Sequence, residues 1–532
     1  MEKDLDTKNY DVDTNDIHSD EEIKSTLFDT NRAYENVDFQ DQDFQIQESN
    51  IWNNVDEAYE AVKGNGTFIP AYALILGIGA SMASLSVVIP LLVKVPDLQC
   101  SSDAGQTWNS WDHDDAWSSS SSLMYRKNNK SIETIDNWIT KFDMIWADGI
   151  LISLFGALYF IGFVIGAVTI VRLGDIYGRK PISVWTNILS IFIYIGLYFA
   201  NSKELVYVLL VPTGALYIAR FILLYIYMLE LMPENLIIFY HIISSILGTL
   251  LECGFLVYFI FVDDGLKIFF VIIAASLVHM IWHYYWPESP KFLYSQRRFD
   301  ELHESLSYIA EVNKAEPWNK KFAIECTTEY SESGSDLTST DISMIDAIKD
   351  SIYRSNLIIM AFNWCVCSLS FYVINFYISD FPGSTFVNWF ILIISDVIST
   401  IVTLPAMKLI GLNHGFSCSY AIVIVLSIIS WFVKHITILA YFWVFFIRFG
   451  VNLAFNLWYF GSLQIFRVKL RSRSFAVCNL FARILTIGSP LIVELVPFPM
   501  LLIAVWSLIT WVISQFIVED NRFDDDNDAK DK

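Results

Sequence analysis

Apolar residues in this chain gather in runs of about 18–27 positions, divided by short polar breaks. A run of that length with few charges is enough for a helix to cross a hydrocarbon layer ~30 Å thick. The pattern predicts twelve such helices, at 68–93, 148–171, 181–200, 205–231, 236–262, 266–286, 356–378, 386–408, 416–434, 436–461, 474–495 and 498–518. They are called the first to the twelfth span below. Two polar gaps are long, 94–147 and 291–355, and six spans lie on each side of the second. The expected organisation is therefore an all-α membrane protein. A polar tail at 1–64 leads to a six-helix half at 65–290, which carries the large 94–147 loop. An inter-half loop at 291–355, a second six-helix half at 356–518 and a tail at 519–532 follow.

Composition sharpens this picture. Of the 532 residues 54% are hydrophobic, and the mean hydropathy is +0.43, too apolar for a soluble chain of this size. The net charge of −22 belongs mostly to the ends. Residues 1–60 hold 18 acidic and 4 basic side chains, residues 519–532 hold 7 and 3, and the membrane body is left near −4. Such acidic tails are expected to be solvated and disordered, and no basic stripe points to nucleic acid. The polar start of the chain shows no pattern of a cleaved signal peptide. Seven cysteines are scattered; Cys365 and Cys367 make a CxC within an apolar run, where packing is a better account than a metal site.

Lys and Arg cluster in "VRLGDIYGRK", "KFLYSQRR" and "RVKLRSR", all on one side of the layer in this count. That side is expected to be cytosolic, with both tails on it and the 94–147 loop opposite. Asn129 in that loop opens a glycosylation sequon on the accessible side, whereas the match at Asn65 falls on the cytosolic side.

Several stretches resemble a known family. "GDIYGRKP" after the second span resembles the loop signature of the major facilitator superfamily. "VDEAYEAVKGNGTF", "VPDLQC", "WPESPKFLYSQRRFDEL" and the run from "IRFGVNLAF" through "LFARILTIGSP" are similar to its organic cation, organic anion and carnitine transporters, over about residues 55–518. The resemblance implies the major facilitator fold. In that fold the first, fourth, seventh and tenth helices line a central cavity, flanked by the second, fifth, eighth and eleventh, with the third, sixth, ninth and twelfth toward lipid. The sequence departs from the family at Val171 and Ile176 in the first loop signature. It departs again at Leu210, at Lys408 within "MKLIGLN", at Gln464, and in having only Cys100 in the large loop.

Two sets of residues are candidates for function. At the cytosolic end, Asp175, Gly178, Arg179, Lys180, Glu230, Glu288 and Arg471 are expected to form the charge network that the resemblance implies closes that side. The plain alternative is anchoring of basic residues at the cytosolic surface. Within the spans stand Arg220, Glu252, Asp396, Arg448 and Arg483. Arg483 lies roughly 14 Å deep at 1.5 Å per residue, where a cation is costly. Ionisable groups at such depth usually face a bundle interior or a wet cavity. Arg448, Asn452 and Asn456 recur at helical spacing, and Tyr217 and Arg220 share a face of the fourth span.

Internal pairing of the three arginines with Glu252 and Asp396 is the structural alternative, and it leaves one cation over. A carboxylate or sulfate of a substrate would complete the set. In the resembled family the position of Arg483 tends to be basic in anion and carnitine carriers. The expected function is transport of small organic ions by alternating access, an anion or a zwitterion such as carnitine favoured over a cation. The expected substrate site comprises Arg483, Arg448, Asn452, Asn456, Arg220, Tyr217, Asp396 and Glu252. The alternative is a non-transporting receptor, sensor or assembly subunit of the same fold, in keeping with the eroded second-half signature. No phosphate loop, nucleophile elbow or HExxH motif occurs, so neither an enzyme nor a cofactor is expected. A coupling ion, proton or sodium, is left open, with Glu252 and Asp396 the carboxylates at depth. The plasma membrane is the expected location, an endomembrane the alternative.

Overall fold

The computed structural model describes residues 51–52, 55–62, 66, 68, 85–101, 109–111, 124–128, 131, 133–231, 234–315, 321–322, 344–433, 436–466 and 468–518. Most of the two tails, most of the first span, Asn129 and the middle of the inter-half loop lie outside them. The second to seventh spans are the helices Gly149–Tyr177, Arg179–Phe199, Lys203–Leu231, Glu234–Phe261, Ile268–Tyr285 and Ser351–Phe376. The eighth and ninth run together through Thr385–Val433, broken at Gly411, where φ is 76°. The tenth is Thr437–Ile465, the eleventh Val468–Thr486 extended by Ser489–Leu495, and the twelfth Pro499–Ser514. Leu85–Leu92 is the described end of the first.

Large apolar side chains stay exposed on the third, sixth, ninth and twelfth spans, among them Phe192, Val278, Phe432 and Val512. That outward face suits lipid. Backbones come closest where side chains are absent. The second and fourth spans cross at Gly162, Gly166 and Gly214, where an added Cβ would collide with the carbonyl oxygens of Val211, Ala215 and Tyr159. Small residues at such a crossing let two membrane helices pack at backbone distance.

The sequence predicted no strands, yet the large loop contains a three-stranded antiparallel sheet with Leu98–Ser101 between Asn109–Trp111 and Met124–Lys127. The rest of that loop returns to the bundle through Asn137, whose side chain caps the turn Trp138–Lys141 and donates to the carbonyls of Leu91 (2.9 Å) and Lys94 (2.7 Å). At the opposite end, the helices Pro290–Ser295 and Phe299–Asn313 follow the sixth span. Asn313 closes the second of them onto the chain before the first span, accepting from the Phe68 N–H (2.7 Å) and donating to the Val62 carbonyl (2.9 Å). A separate small unit contains a parallel pair, Ile51–Trp52 with Lys321–Phe322.

Candidate functional site

The two six-helix halves meet along the second and eleventh spans and along the fifth and eighth. Arg483 lies on the first of these seams. It is 4% exposed, its Nε donates to Asn479 Oδ1 (3.1 Å) one turn earlier, and its Nη1 reaches Tyr372 Oη of the seventh span (3.4 Å). Its guanidinium stands 5.3 Å from the ring centre of Phe163 on the second span. Among the described residues no carboxylate pairs with it. Its surroundings are aromatic: Phe163 packs on Tyr217 (5.6 Å), Phe160 on Tyr372 (4.8 Å), and Tyr372 on Phe371 (5.3 Å). A buried cation is thus held by neutral groups from both halves.

Arg448 has a different environment. Its Nε and Nη2 each donate to one carboxylate oxygen of Asp396, both at 2.7 Å, and its Nη1 donates to the Phe371 carbonyl and to Asn375 Oδ1, both at 3.0 Å. The guanidinium plane lies 3.5 Å from the Phe371 ring centre. A bidentate fork of this kind matches guanidinium to carboxylate geometry in full. The neighbouring polar residues continue the seam between the eighth and tenth spans. Asn452 donates to Ser399 Oγ (2.7 Å) and to the Asp396 carbonyl (3.2 Å), and Asn456 donates to Thr400 Oγ1 (3.2 Å). Repetition at one residue per turn makes this a hydrogen-bonded zipper between two apolar helices.

Glu252 is half-buried on the fifth span, on the same face as buried Gly248, Phe255 and Phe259 and opposite lipid-facing Leu250, Val257 and Phe261. Its accessible surface therefore opens to the interior rather than to lipid. It lies within electrostatic reach of both Asp396 and Arg448. Asp396 already forms a pair, so Glu252 is a second carboxyl group near it without an ion-pair partner of its own among the described residues.

Arg220 departs from the sequence expectation. It is 1% exposed and its Nη1 donates to Asn187 Oδ1 (2.9 Å) on the third span, one of the helices expected to lie outside the central ring. A face shared with Tyr217 is not enough to bring it to the same site. Tyr217 turns to Phe163 and Tyr159 of the second span, whereas Arg220, about 60° away round the helix, turns to the third.

At the basic end, Arg179 joins three elements. Its Nε and Nη2 meet Glu230 Oε1 at 3.0 and 2.9 Å, its Nη2 lies 3.3 Å from Asp175, its Nη1 donates to the Gly174 carbonyl (3.0 Å), and its guanidinium covers Phe292 at 4.5 Å. Glu288 accepts from the backbone N–H groups of Lys180 (3.1 Å) and Ser289 (2.8 Å). Burial pushes the Glu288 carboxyl above its ordinary value, against the pull of those two donors. Gly178 turns the chain at φ 113°, and a Cβ there would strike the Glu288 carboxylate. Asp175, Gly178, Arg179, Lys180, Glu230 and Glu288 are thus one network, all within the first half. The side chain of Arg471 lies outside the described residues.

Residues 114–517 match the family described as "Sugar (and other) transporter". The chain belongs to that family. Among its relatives are solute carrier family 22 member 4 of Mus musculus, 21% identical over 398 residues, and organic cation/carnitine transporter 2 of Homo sapiens, 22% identical over 401 residues. Each match covers 72% of this chain and 69% of the relative. These matches bear out the resemblance to the organic cation, organic anion and carnitine transporters within the major facilitator superfamily. The xylose transporter XylE from E. coli, in a partially occluded inward open conformation, superposes with a TM-score of 0.57 at 12% identity, covering 85% of this chain and 100% of that one. At that identity the likeness speaks for the major facilitator fold alone. Family and fold are those of multi-pass membrane transporters and not of enzymes.

In this transporter-family chain, sequence reasoning missed Phe163, Phe160 and Asn375 around the two arginines. Their only local signal is helical spacing within apolar runs, which any packed span shares. It also missed Glu133, in the loop before the second span. Glu133 pairs with Lys94 and accepts from Ser384 Oγ (2.5 Å) and the Thr385 N–H (2.9 Å) at the start of the eighth span. Burial alone raises its carboxyl, but Lys94 and the two donors outweigh that and hold it below its ordinary value.

Proposed function

We propose that this chain carries small organic ions across the bilayer by alternating access of its two halves, favouring an organic anion or a zwitterion such as carnitine over a cation. The observation that carries the reading is Arg483, a buried cation on the seam between the halves with neutral partners and no carboxylate among the described residues. An anionic substrate group would supply the missing charge and use the guanidinium fork. Tyr372, Phe163 and Tyr217 supply aromatic surface, and the π faces of such rings favour a quaternary ammonium. Glu252 gives such a cation an interior carboxylate. Arg448, Asp396, Asn452 and Asn456 frame the site and hold its second side in shape.

Contacts across the halves at both ends support alternating access. Near the large loop, Glu133 reaches Ser384 and Thr385. Near the basic end, Tyr225 packs on Tyr459 (5.9 Å) and Phe475 (5.9 Å), and His241 on Tyr459 (5.3 Å) and Phe460 (5.6 Å). Opening to one side parts one set while the other persists. The excess of Lys and Arg at the basic end supports a cytosolic position for it, and the proposed arrangement puts both tails on that side, the protein in the plasma membrane and a glycan on Asn129.

Uptake of labelled carnitine and a panel of organic anions and cations into cells expressing the protein tests this. Arg483→Ala is expected to lower uptake of the anionic or zwitterionic substrate at least tenfold at unchanged surface expression; normal uptake by that variant removes the assignment. A second reading, a receptor or sensor without flux, is favoured by the second-half turn at Gly411. Lys408 there is exposed and makes no ion pair among the described residues, whereas the first-half turn is fully networked. Saturable binding to the purified protein without flux in proteoliposomes is the outcome that selects it.

A further inference from the structure

The environment of Arg220 belongs to no part of the proposed transport site. Asn187 is its hub: Oδ1 accepts from Arg220 Nη1 (2.9 Å), and Nδ2 donates to the Ser276 carbonyl (2.9 Å) and faces His279 Nδ1 (3.5 Å). The third, fourth and sixth spans therefore meet at one buried polar point. Arg220 Nε and Nη2, Ser276 Oγ and His279 Nε2 are all buried there without a well-formed hydrogen bond among the described residues, and the Tyr194 hydroxyl of the third span lies within reach of the Arg220 guanidinium. Arg220 is 1%, Ser276 3% and His279 5% exposed.

The protonation pattern follows from the partners. His279 Nδ1 accepts from Asn187, so the neutral ring carries its proton on Nε2, one of the unpartnered atoms. These atoms of Arg220, Ser276 and His279 are then all able to donate. Ser276 is distinct from Ser190, whose hydroxyl bonds back to the Thr186 carbonyl at 2.7 Å. His283, one turn further on, differs again. Ser183 gives its proton to the Lys180 carbonyl (3.0 Å), so His283 donates to Ser183 through Nε2 (2.5 Å) and its Nδ1 is a lone pair. His283 supports the cluster without adding a donor.

The charge is equally one-sided. Between their ends the third, fourth and sixth spans contain no Asp or Glu; Glu204 and Glu230 sit at opposite ends of the fourth. Water satisfies donors but leaves the guanidinium charge uncompensated in a low-dielectric layer, whereas an anion does both. We propose that the third, fourth and sixth spans enclose a site for one small monovalent anion of the halide type, held by Arg220, Ser276 and His279, as a fixed constituent of the first six-helix half.

The test uses the purified full-length protein. Melting is followed in sodium chloride or bromide against sodium gluconate at equal ionic strength. Halide is expected to raise the Tm saturably by several degrees. Arg220→Met and Ser276→Ala are expected to abolish that halide-dependent rise, whereas Arg483→Met retains it. Where a variant does not fold, bromide-soaked crystals of the unaltered protein decide by anomalous scattering, with a peak expected beside Arg220. A halide response kept in Arg220→Met, a bromide peak at Arg483 instead, or ordered water alone beside Arg220 overturns the proposal.

Discussion

At the residue scale, the buried charges divide by what compensates them. Asp396 and Arg448 are 8% and 2% exposed at the side chain and bonded at both forks, so each depends on the other. Removing one partner strands a charge in an apolar layer, at a cost of about 3–5 kcal/mol, whereas replacing both with apolar groups of similar size is far milder. Asp396→Asn and Arg448→Met are therefore each expected to lower stability by about that amount, and the Asp396→Leu/Arg448→Met double variant to recover most of it. Melting curves of the four proteins in detergent measure the coupling; additive losses would show that the pair does not act as a unit. Arg483 obeys the opposite logic. Among the described residues it has no carboxylate to strand, so its neutralisation is expected to spare stability and to register in uptake. The sequence offered Arg448 and Arg483 as equals, because each is an arginine at depth in an apolar run. Only the position of Asp396 on a neighbouring helix separates them.

At the scale of elements, the crossing of the second and fourth spans rests on missing side chains. At Gly162 a Cβ meets backbone, which cannot rotate aside. Gly162→Ala is expected to push the two helices apart and to lower stability by about 1–3 kcal/mol. Gly254 on the fifth span has nothing within 4 Å of its would-be Cβ, so Gly254→Ala is expected to be neutral or slightly stabilising through helix propensity. Thermal aggregation of the two variants side by side checks the contrast; equal losses would mean that close approach is not what Gly162 provides. The existence and extent of these helices were legible, because uninterrupted apolar length is a local property. Their crossing points were not, because a glycine against a neighbour's backbone and one facing lipid look alike in sequence.

At the scale of the whole molecule, Glu133 ties the loop end of the first half to the eighth span of the second. Its folded carboxyl titrates below the ordinary value, so the latch contributes fully above the usual carboxylate range. That contribution is lost as pH falls through the lower, folded value. Glu133→Gln removes the charge at any pH and is expected to weaken the latch by about 1–2 kcal/mol, a shift of roughly 5–30-fold toward loop-side opening. Spin-label distances across the halves at the loop end report it. Distances unchanged both in Glu133→Gln and in the unaltered protein at acid pH would show that the latch does not restrain opening.

The sequence by itself determined the presence of apolar spans in two halves, the family and the list of charges within the spans. Each of these follows from local composition: the length of an apolar run, the spacing of residues along one helix, and short signatures at turns. Which charges meet was decided only by tertiary structure. Arg448 reaches Asp396 across 52 positions of chain, Arg220 reaches Asn187 across 33, and Glu133 reaches Thr385 across 252. Helical spacing places a side chain on a face, but the neighbour opposite that face belongs to another helix. Arg220 and Arg483 thus read alike along the chain, and packing sent one into the first half and left the other on the seam.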